Sequence, residues 1–160
     1  ISTDPLTGLN NKRELSKFLL RETAKDAGRA GNLALIMMDM DRFKEINDTH
    51  GHYYGDGMLV AVAGVLKKSC KNTTSFLARF GGDEFCIVCP GERAHEVGDQ
   101  VAAIDANIRV WNSEHPDEVP ISLSIGYSVW DPSVDHSIEA LYRRADQEMY
   151  RAKRTKALAA

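Results

Sequence analysis

Leu33 to Met40 reads LALIMMDM, and this run constrains the fold more than any other stretch of the chain. It lacks the alternation of a half-exposed strand, and its length and flanks suit a strand better than a buried helix. The run therefore predicts a central strand buried on both faces, which requires covering layers on each side of its sheet. It also ends in acid, with Asp39 inside the run and Asp41 just beyond it. A carboxylate at the end of a dry strand is costly unless something pairs it. That strand end is the first candidate site.

The remaining periodicities supply the covering layers. Leu15, Phe18 and Leu19 predict an amphipathic helix over 11–29, closed by Gly28 and Gly31. A short helix over 42–48, a glycine-rich loop over 51–57 and a helix with a strongly apolar face over 58–71 follow. Leu77 to Cys89, LARFGGDEFCIVC, reads as a hairpin broken by Gly81-Gly82-Asp83-Glu84. A helix over 92–114, a strand over 119–130 and a last helix over 137–153 complete the order αβααββαβα. One tight hairpin plus strands joined through helices predict an α/β fold with a mixed central β-sheet flanked by helices.

Composition sets limits on partners. The 160 residues, 43% hydrophobic and 27% charged, fit one domain with a single core, spanning 1–160. A net charge of −3 provides no blanket basic field, so no nucleic-acid partner is expected and phosphate must be met by local charges or metal. Three cysteines are an odd number in a chain with an ordinary core, which argues for a reducing, cytoplasmic setting. Cys86 and Cys89 point to opposite faces of a strand, cannot chelate one ion, and read as core. No apolar run approaches the roughly 20 residues of a membrane span, so this domain itself is expected to make no membrane contact. The start without methionine reads as a piece excised from a longer protein.

If the hairpin lies beside the central strand, its turn brings Asp83 and Glu84 to Asp39 and Asp41, which share a face two residues apart. Clustered acids raise one another's pKa, and such clusters suit a hard divalent cation. Mg²⁺ keeps waters and takes further ligands from substrate phosphates, so the constellation suggests nucleotide phosphoryl transfer. The plainer alternative pairs Asp39 with Arg42 or Lys44. Gly81 and Gly82 permit positive φ and leave no side chain to block a ligand across the turn. Lys44 offers a cation for phosphate, while Asp56 can accept from two adjacent guanine donors, with Asn47 able to read the same base. A calcium loop starting at Asp39 fails, because Phe43, Lys44 and His50 stand where it needs a ligand, glycine and glutamate. His50, His95, His115 and His136 read as surface or turn residues, and Arg143-Arg144 as a solvated face of the last helix.

Arg79 to Phe85 (RFGGDEF), DPLTGLN at 4–10 and DMDRFKEINDTHGHYYGD at 39–56 stand in this order with Ser124-Ile125-Gly126, Ala145-Asp146 and Tyr150-Arg151-Ala152-Lys153. In these segments, which span nearly the whole chain, the protein resembles the GGDEF-domain diguanylate cyclases. The resemblance implies a palm-like fold, similar to nucleotidyl cyclases and polymerases and of ferredoxin-like type, in a longer signalling protein that could be membrane-anchored elsewhere. It implies condensation of two GTP into cyclic di-GMP with release of two pyrophosphates, dependent on Mg²⁺ or Mn²⁺. Two copies must face each other, so a catalytic homodimer, which need form only transiently, is expected.

Residue by residue, the resemblance makes Asp39, the Met40 carbonyl and Asp83 metal ligands, and Asp83 the general base, with Glu84 assisting. Lys44 would steady phosphate charge; Asn47, His52 and Asp56, with Gly81 and Gly82, would hold the nucleotide; Lys153 would reach its phosphates. Two departures stand out. The window for the family's Arg-x-x-Asp product site reads Asn72-Thr73-Thr74-Ser75, and the arginine expected after Lys153 is Ala157. The rival to an active cyclase is a GGDEF-like module without turnover that senses GTP or cyclic di-GMP.

Overall fold

The computed structural model describes residues 2–25 and 30–159. The central run is strand β1, Leu33–Met40, with all eight residues buried. It lies inside a four-stranded sheet with β2 (Phe76–Arg79), β3 (Glu84–Pro90) and β4 (Leu123–Val129), in the order β2-β3-β1-β4. Every pairing is antiparallel, so the sheet is antiparallel where a mixed one was expected. Each helical crossover does join parallel strands, β1 to β2 and β3 to β4, but a third strand lies between them each time. Crossovers constrain direction, not adjacency, and this interleaving is the split arrangement of ferredoxin-like sheets.

Helices cover both faces, as the buried strand demands. Leu33, Leu35 and Met37 pack with Leu15 and Leu19 of α1 (Lys12–Lys25) and Leu141, Ala145 and Met149 of α5 (Ile138–Ala159). Ala34, Ile36, Met38 and Met40 face the other way, onto Ile46 of α2 (Phe43–His50), Leu59 and Val62 of α3 (His52–Ser69) and Ile104 of α4 (Val97–Glu114). Each fully buried Leu, Ile or Met contributes about 1.5–3 kcal/mol relative to exposure. Cys86 joins the first cluster and Cys89 the second, so the pair is divided between the faces as core. Asp39 has the parity of Leu35 and Met37 and belongs to the α1/α5 face.

Element ends depart from the sequence expectation in instructive places. The expected helix over 11–29 is described as far as Lys25, and Gly28 lies outside the described residues. The glycine-rich loop over 51–57 is instead the start of α3. Gly51, at φ 90, makes the break between α2 and α3, and its N–H bonds the Asn47 carbonyl at 2.8 Å. Gly55 is helical, and a Cβ there would fall 1.8 Å from Asn47 Oδ1. Glycine therefore serves the packing of the Asn47 amide, which composition alone cannot distinguish from a loop. A short 3-10 turn over 91–96 precedes α4, β4 starts at Leu123 rather than near 119, and α5 runs on from 153 to Ala159. Among the described residues no helix is long and apolar enough to cross a membrane.

The contact between β4 and α5 has no spare room. A Cβ on Gly126 would lie 2.1 Å from the Met149 amide nitrogen and 2.4 Å from the Ala145 carbonyl oxygen. These are backbone atoms, so relief requires the helix to move. Gly126→Ala is expected to cost about 3 kcal/mol or more in urea unfolding. Gly64→Ala, inside α3 with nothing within 4 Å of the added Cβ, should instead stabilise by about 0.5–1 kcal/mol.

Candidate active site

The strand register places Asp39 directly opposite Glu84, and the Met40 amide donates to the Asp83 carbonyl at 3.1 Å. The hairpin turn and the end of β1 thus form one edge, as the sequence predicts. Asp39 is 8% exposed. Its Oδ2 accepts from Lys153 Nζ at 3.0 Å, while its Oδ1 is buried with no hydrogen-bond partner. The plainer expectation of an Arg42 or Lys44 partner is not met, because the cation comes from α5.

Burial raises the Asp39 pKa; Lys153 opposes that, and the Asp83 and Asp41 charges reinforce it. Glu84 is raised as well, by burial first and then by Asp83, Asp146 and Asp39, against Lys12. The Asp39 hydrogen bond holds the Lys153 pKa above its ordinary value, despite partial burial. Around Asp39 and Glu84 the carboxylates of Asp39, Asp83, Glu84 and Asp146 outnumber the ammonium groups of Lys153 and Lys12, leaving an excess of negative charge. A buried, unpartnered carboxylate oxygen in such a setting fits a divalent cation. Among the described residues no three His, Cys, Asp or Glu side chains converge to hold a metal by themselves.

Asp41 is different. β1 ends at Met40, and Arg42 takes a left-handed conformation, φ 57, so the chain turns sharply into α2. Asp41 still lies on the Asp39 face, as expected, because Ser124, the cross-strand partner of Asp39, and Lys156 of α5 both reach it. It accepts from Ser122 Oγ and Ser124 Oγ, each at 2.6 Å, and from Lys156 Nζ at 2.7 Å. Burial would raise its pKa, but these donors hold it below the ordinary carboxylate value.

The expected nucleotide residues lie on the opposite side of the sheet end. Lys44 is exposed on α2, and Asn47 is half-buried with Oδ1 lacking any partner. His52 and Asp56 are exposed in the first turns of α3, with Asp56 next to the Gly55 that carries the Asn47 amide. Gly81 and Gly82 do not have the positive φ expected of them. Their contribution is space: a Cβ on Gly82 would meet nothing within 4 Å.

Arg79 and Asp4, quoted in the motifs but given no task by the sequence, support the turn. Arg79 Nη2 donates to the Gly82 carbonyl at 2.7 Å and Nε donates to Gly81 and Gly82. Its Nη1 reaches Asp4 at 3.2 Å, and Asp4 also accepts from the Thr7 N–H and hydroxyl. One guanidinium therefore ties the double glycine to the N-terminal segment, which bridges β2 through Asn10. The spacing of Asp4 and Thr7 is the recognisable signal of a side-chain turn, but its distant partner carries no local mark.

A ferredoxin-like antiparallel sheet with an acidic hairpin turn beside a buried strand-end aspartate defines a nucleotidyl-cyclase type of palm. A family model described as diguanylate cyclase, GGDEF domain, matches residues 1–158, and the chain belongs to that family. It is 38% identical over 152 residues to the diguanylate cyclase DgcP of Pseudomonas aeruginosa, covering 95% of this chain and 22% of that protein. It is 33% identical to the diguanylate cyclase DgcS of Shewanella oneidensis, covering 94% of this chain and 49% of that one. The chain thus spans half or less of these relatives. Among solved structures, the GGDEF domain of DgcB from Caulobacter crescentus, in complex with c-di-GMP, matches with TM-score 0.83 and 31% identity, covering 96% of this chain and 91% of that one.

Hydrogen bonds from Thr7 and Arg79 outweigh burial and hold the Asp4 carboxyl below its ordinary 3.8. A depressed folded-state pKa gives stability that is complete above the unfolded value and is lost as pH falls through the folded one. Asp4→Asn is therefore expected to be less stable by about 1–2 kcal/mol near neutral pH. That gap should narrow as pH falls below 3.8. A gap unchanged in acid urea titrations would mean that the charge on Asp4 contributes nothing.

Proposed function

We propose that residues 1–160 form one catalytic domain that condenses two GTP into cyclic di-GMP, at an encounter between two copies of the chain. The observation that carries this reading is Asp39: a buried carboxylate with one oxygen free, beside Asp83, Glu84 and Lys153. Family membership and the cyclases among its relatives support the choice of reaction.

Asp39, Asp83 and the Met40 carbonyl are the groups that would hold Mg²⁺ or Mn²⁺. When bound, the ion supplies charge neutralisation at the α-phosphate and acidifies the attacking hydroxyl. Asn47 and Asp56 read guanine, with the exposed Asp56 carboxylate accepting from its N–H groups. His52 lies beside them, Gly81 and Gly82 leave room for the nucleotide, and Lys44 and Lys153 meet phosphate charge from either side.

In each half-reaction a ribose 3′-oxygen forms a bond to the α-phosphorus of the other GTP, and the bond from that phosphorus to the bridging β-phosphate oxygen breaks. Pyrophosphate leaves. Asp83 accepts the hydroxyl proton, with Glu84, whose own pKa is raised, beside it. Two such steps close the ring, and because one chain supplies one half-site, two copies are required. The domain works in the reducing cytoplasm as part of a longer signalling protein, whose other segments are free to anchor it to a membrane.

The test is incubation with GTP and Mg²⁺ or Mn²⁺, with cyclic di-GMP followed chromatographically. Product is expected, with rates rising more steeply than linearly at low protein concentration as copies pair. Chelation of the metal should stop it. Asp83→Ala should lower turnover by at least about a hundredfold, as loss of a proton acceptor at a metal site implies. No product with nucleotide binding intact would instead make the domain a sensor.

A further inference from the structure

We infer that Asp41 and Lys156 form a strap that positions Lys153 for nucleotide phosphate. This inference rests on the diguanylate cyclase reading and extends it to two residues outside the proposed catalytic set. After Met149 no described residue of α5 is buried, so the last turns of the helix run beyond the core. Among the described residues, the side-chain bonds that tie this segment to the sheet come from two lysines. Lys153 reaches Asp39 at 3.0 Å; Lys156 reaches Asp41 at 2.7 Å and also the Leu123 carbonyl. Three residues apart, the two lysines share one helix face.

Their carboxylate partners are not equivalent. Asp39 retains a buried oxygen with nothing bonded to it and sits among Asp83 and Asp41 charges. Its bond to Lys153 is therefore the one that a substrate-borne cation would exchange. Asp41 has both oxygens occupied, Oδ1 by Ser124 and Oδ2 by Ser122 and Lys156. Three donors fill most of the roughly four acceptor sites of Asp41, and neither oxygen is left without a partner. Its chemistry is to hold, and what it holds is the helix turn that carries Lys153.

The consequence appears when the nucleotide arrives. Once Asp39 turns to a cation, Lys153 is released toward phosphate, and Lys156 is then the one lysine still pinning the turn to β4. Without that strap no described side-chain bond would tie the last turns of α5 to the sheet, since no described residue after Met149 is buried. Lys153 would then have to be ordered at each binding event, at the cost of its rotamer freedom and that of its backbone. Ala157 offers no charge that could replace it.

A double-mutant cycle on nucleotide binding tests this, with a non-hydrolysable GTP analogue and Mg²⁺ followed by calorimetry. Lys153→Met is expected to weaken binding about tenfold, and Lys156→Met about fivefold, typical of lost charge-assisted contacts. The double variant should be no weaker than Lys153→Met within about twofold, because Lys156 acts through Lys153. Lys156→Arg, which can still reach Asp41, should restore binding. Amide exchange over 150–158 should rise in Lys156→Met, and more with analogue bound than without it.

Independent, multiplying effects of the two lysines would overturn the strap, as would analogue binding by Lys156→Met at wild-type strength. If the wild-type protein neither binds the analogue nor makes cyclic di-GMP, the cyclase reading itself fails, and the inference falls with it. Normal wild-type behaviour with uncoupled lysines overturns the inference alone.

Discussion

A carboxylate at the end of a strand buried on both faces must be compensated, and the active-site end of this domain is organised by that requirement. Asp39 is 8% exposed, and its single ion-pair partner comes from a helix 114 residues further along the chain. At an effective dielectric near 20, two unit charges about 4 Å apart attract by roughly 4 kcal/mol. Burial still wins, because the Asp39 pKa remains above its ordinary value with Lys153 in place. The folded chain alone therefore under-neutralises its own site. Asp83 and Glu84, brought up by the hairpin, deepen the deficit, which is what the proposed divalent cation and nucleotide phosphate would relieve.

Such a deficit repels the groups that create it, so the turn needs independent support. β2 has four residues and carries the near side of this acidic turn. Arg79 supplies the missing constraint: it spends its donors on the Gly81 and Gly82 carbonyls and on Asp4, which Thr7 orients. A lysine has no planar fork with which to reach carbonyl and carboxylate at once. The carbonyls of both glycines are thus tied from behind, while the space beside Gly82 stays open.

Features governed by local pattern were legible in the sequence. Eight apolar residues in β1 imposed a two-sided fold, and the order of elements followed from periodicity. The joining of Asp39 to the hairpin acids was also readable, since both stand where a strand ends. Long-range pairing was not. Antiparallel adjacency depends on which strand inserts between two others, and no strand carries that information by itself. Arg144 read as solvated beside Arg143, yet it pairs with Asp135, whose side chain is 0% exposed, across a bend that spacing cannot reveal. Gly55 looked like loop because glycine's usual meaning is conformational, whereas here it makes room for a neighbouring amide.

The distribution of polar groups over the two faces bears on why the proposed reaction needs a second copy. Asn47 and Asp56 come from α2 and α3, on one side of the sheet, whereas Lys153 comes from α5 on the other. A nucleotide held by both must lie across the end of β1, with Asp39 beneath it. In the proposed reading its base is gripped from the α2/α3 side while Lys44 and Lys153 meet its phosphates from either side, and the ribose faces out over the sheet edge. An outward 3′-hydroxyl has no acceptor phosphorus within its own chain. Attack then requires a like edge presented by another molecule, and a symmetric pair supplies two attacking hydroxyls and two acceptors at once.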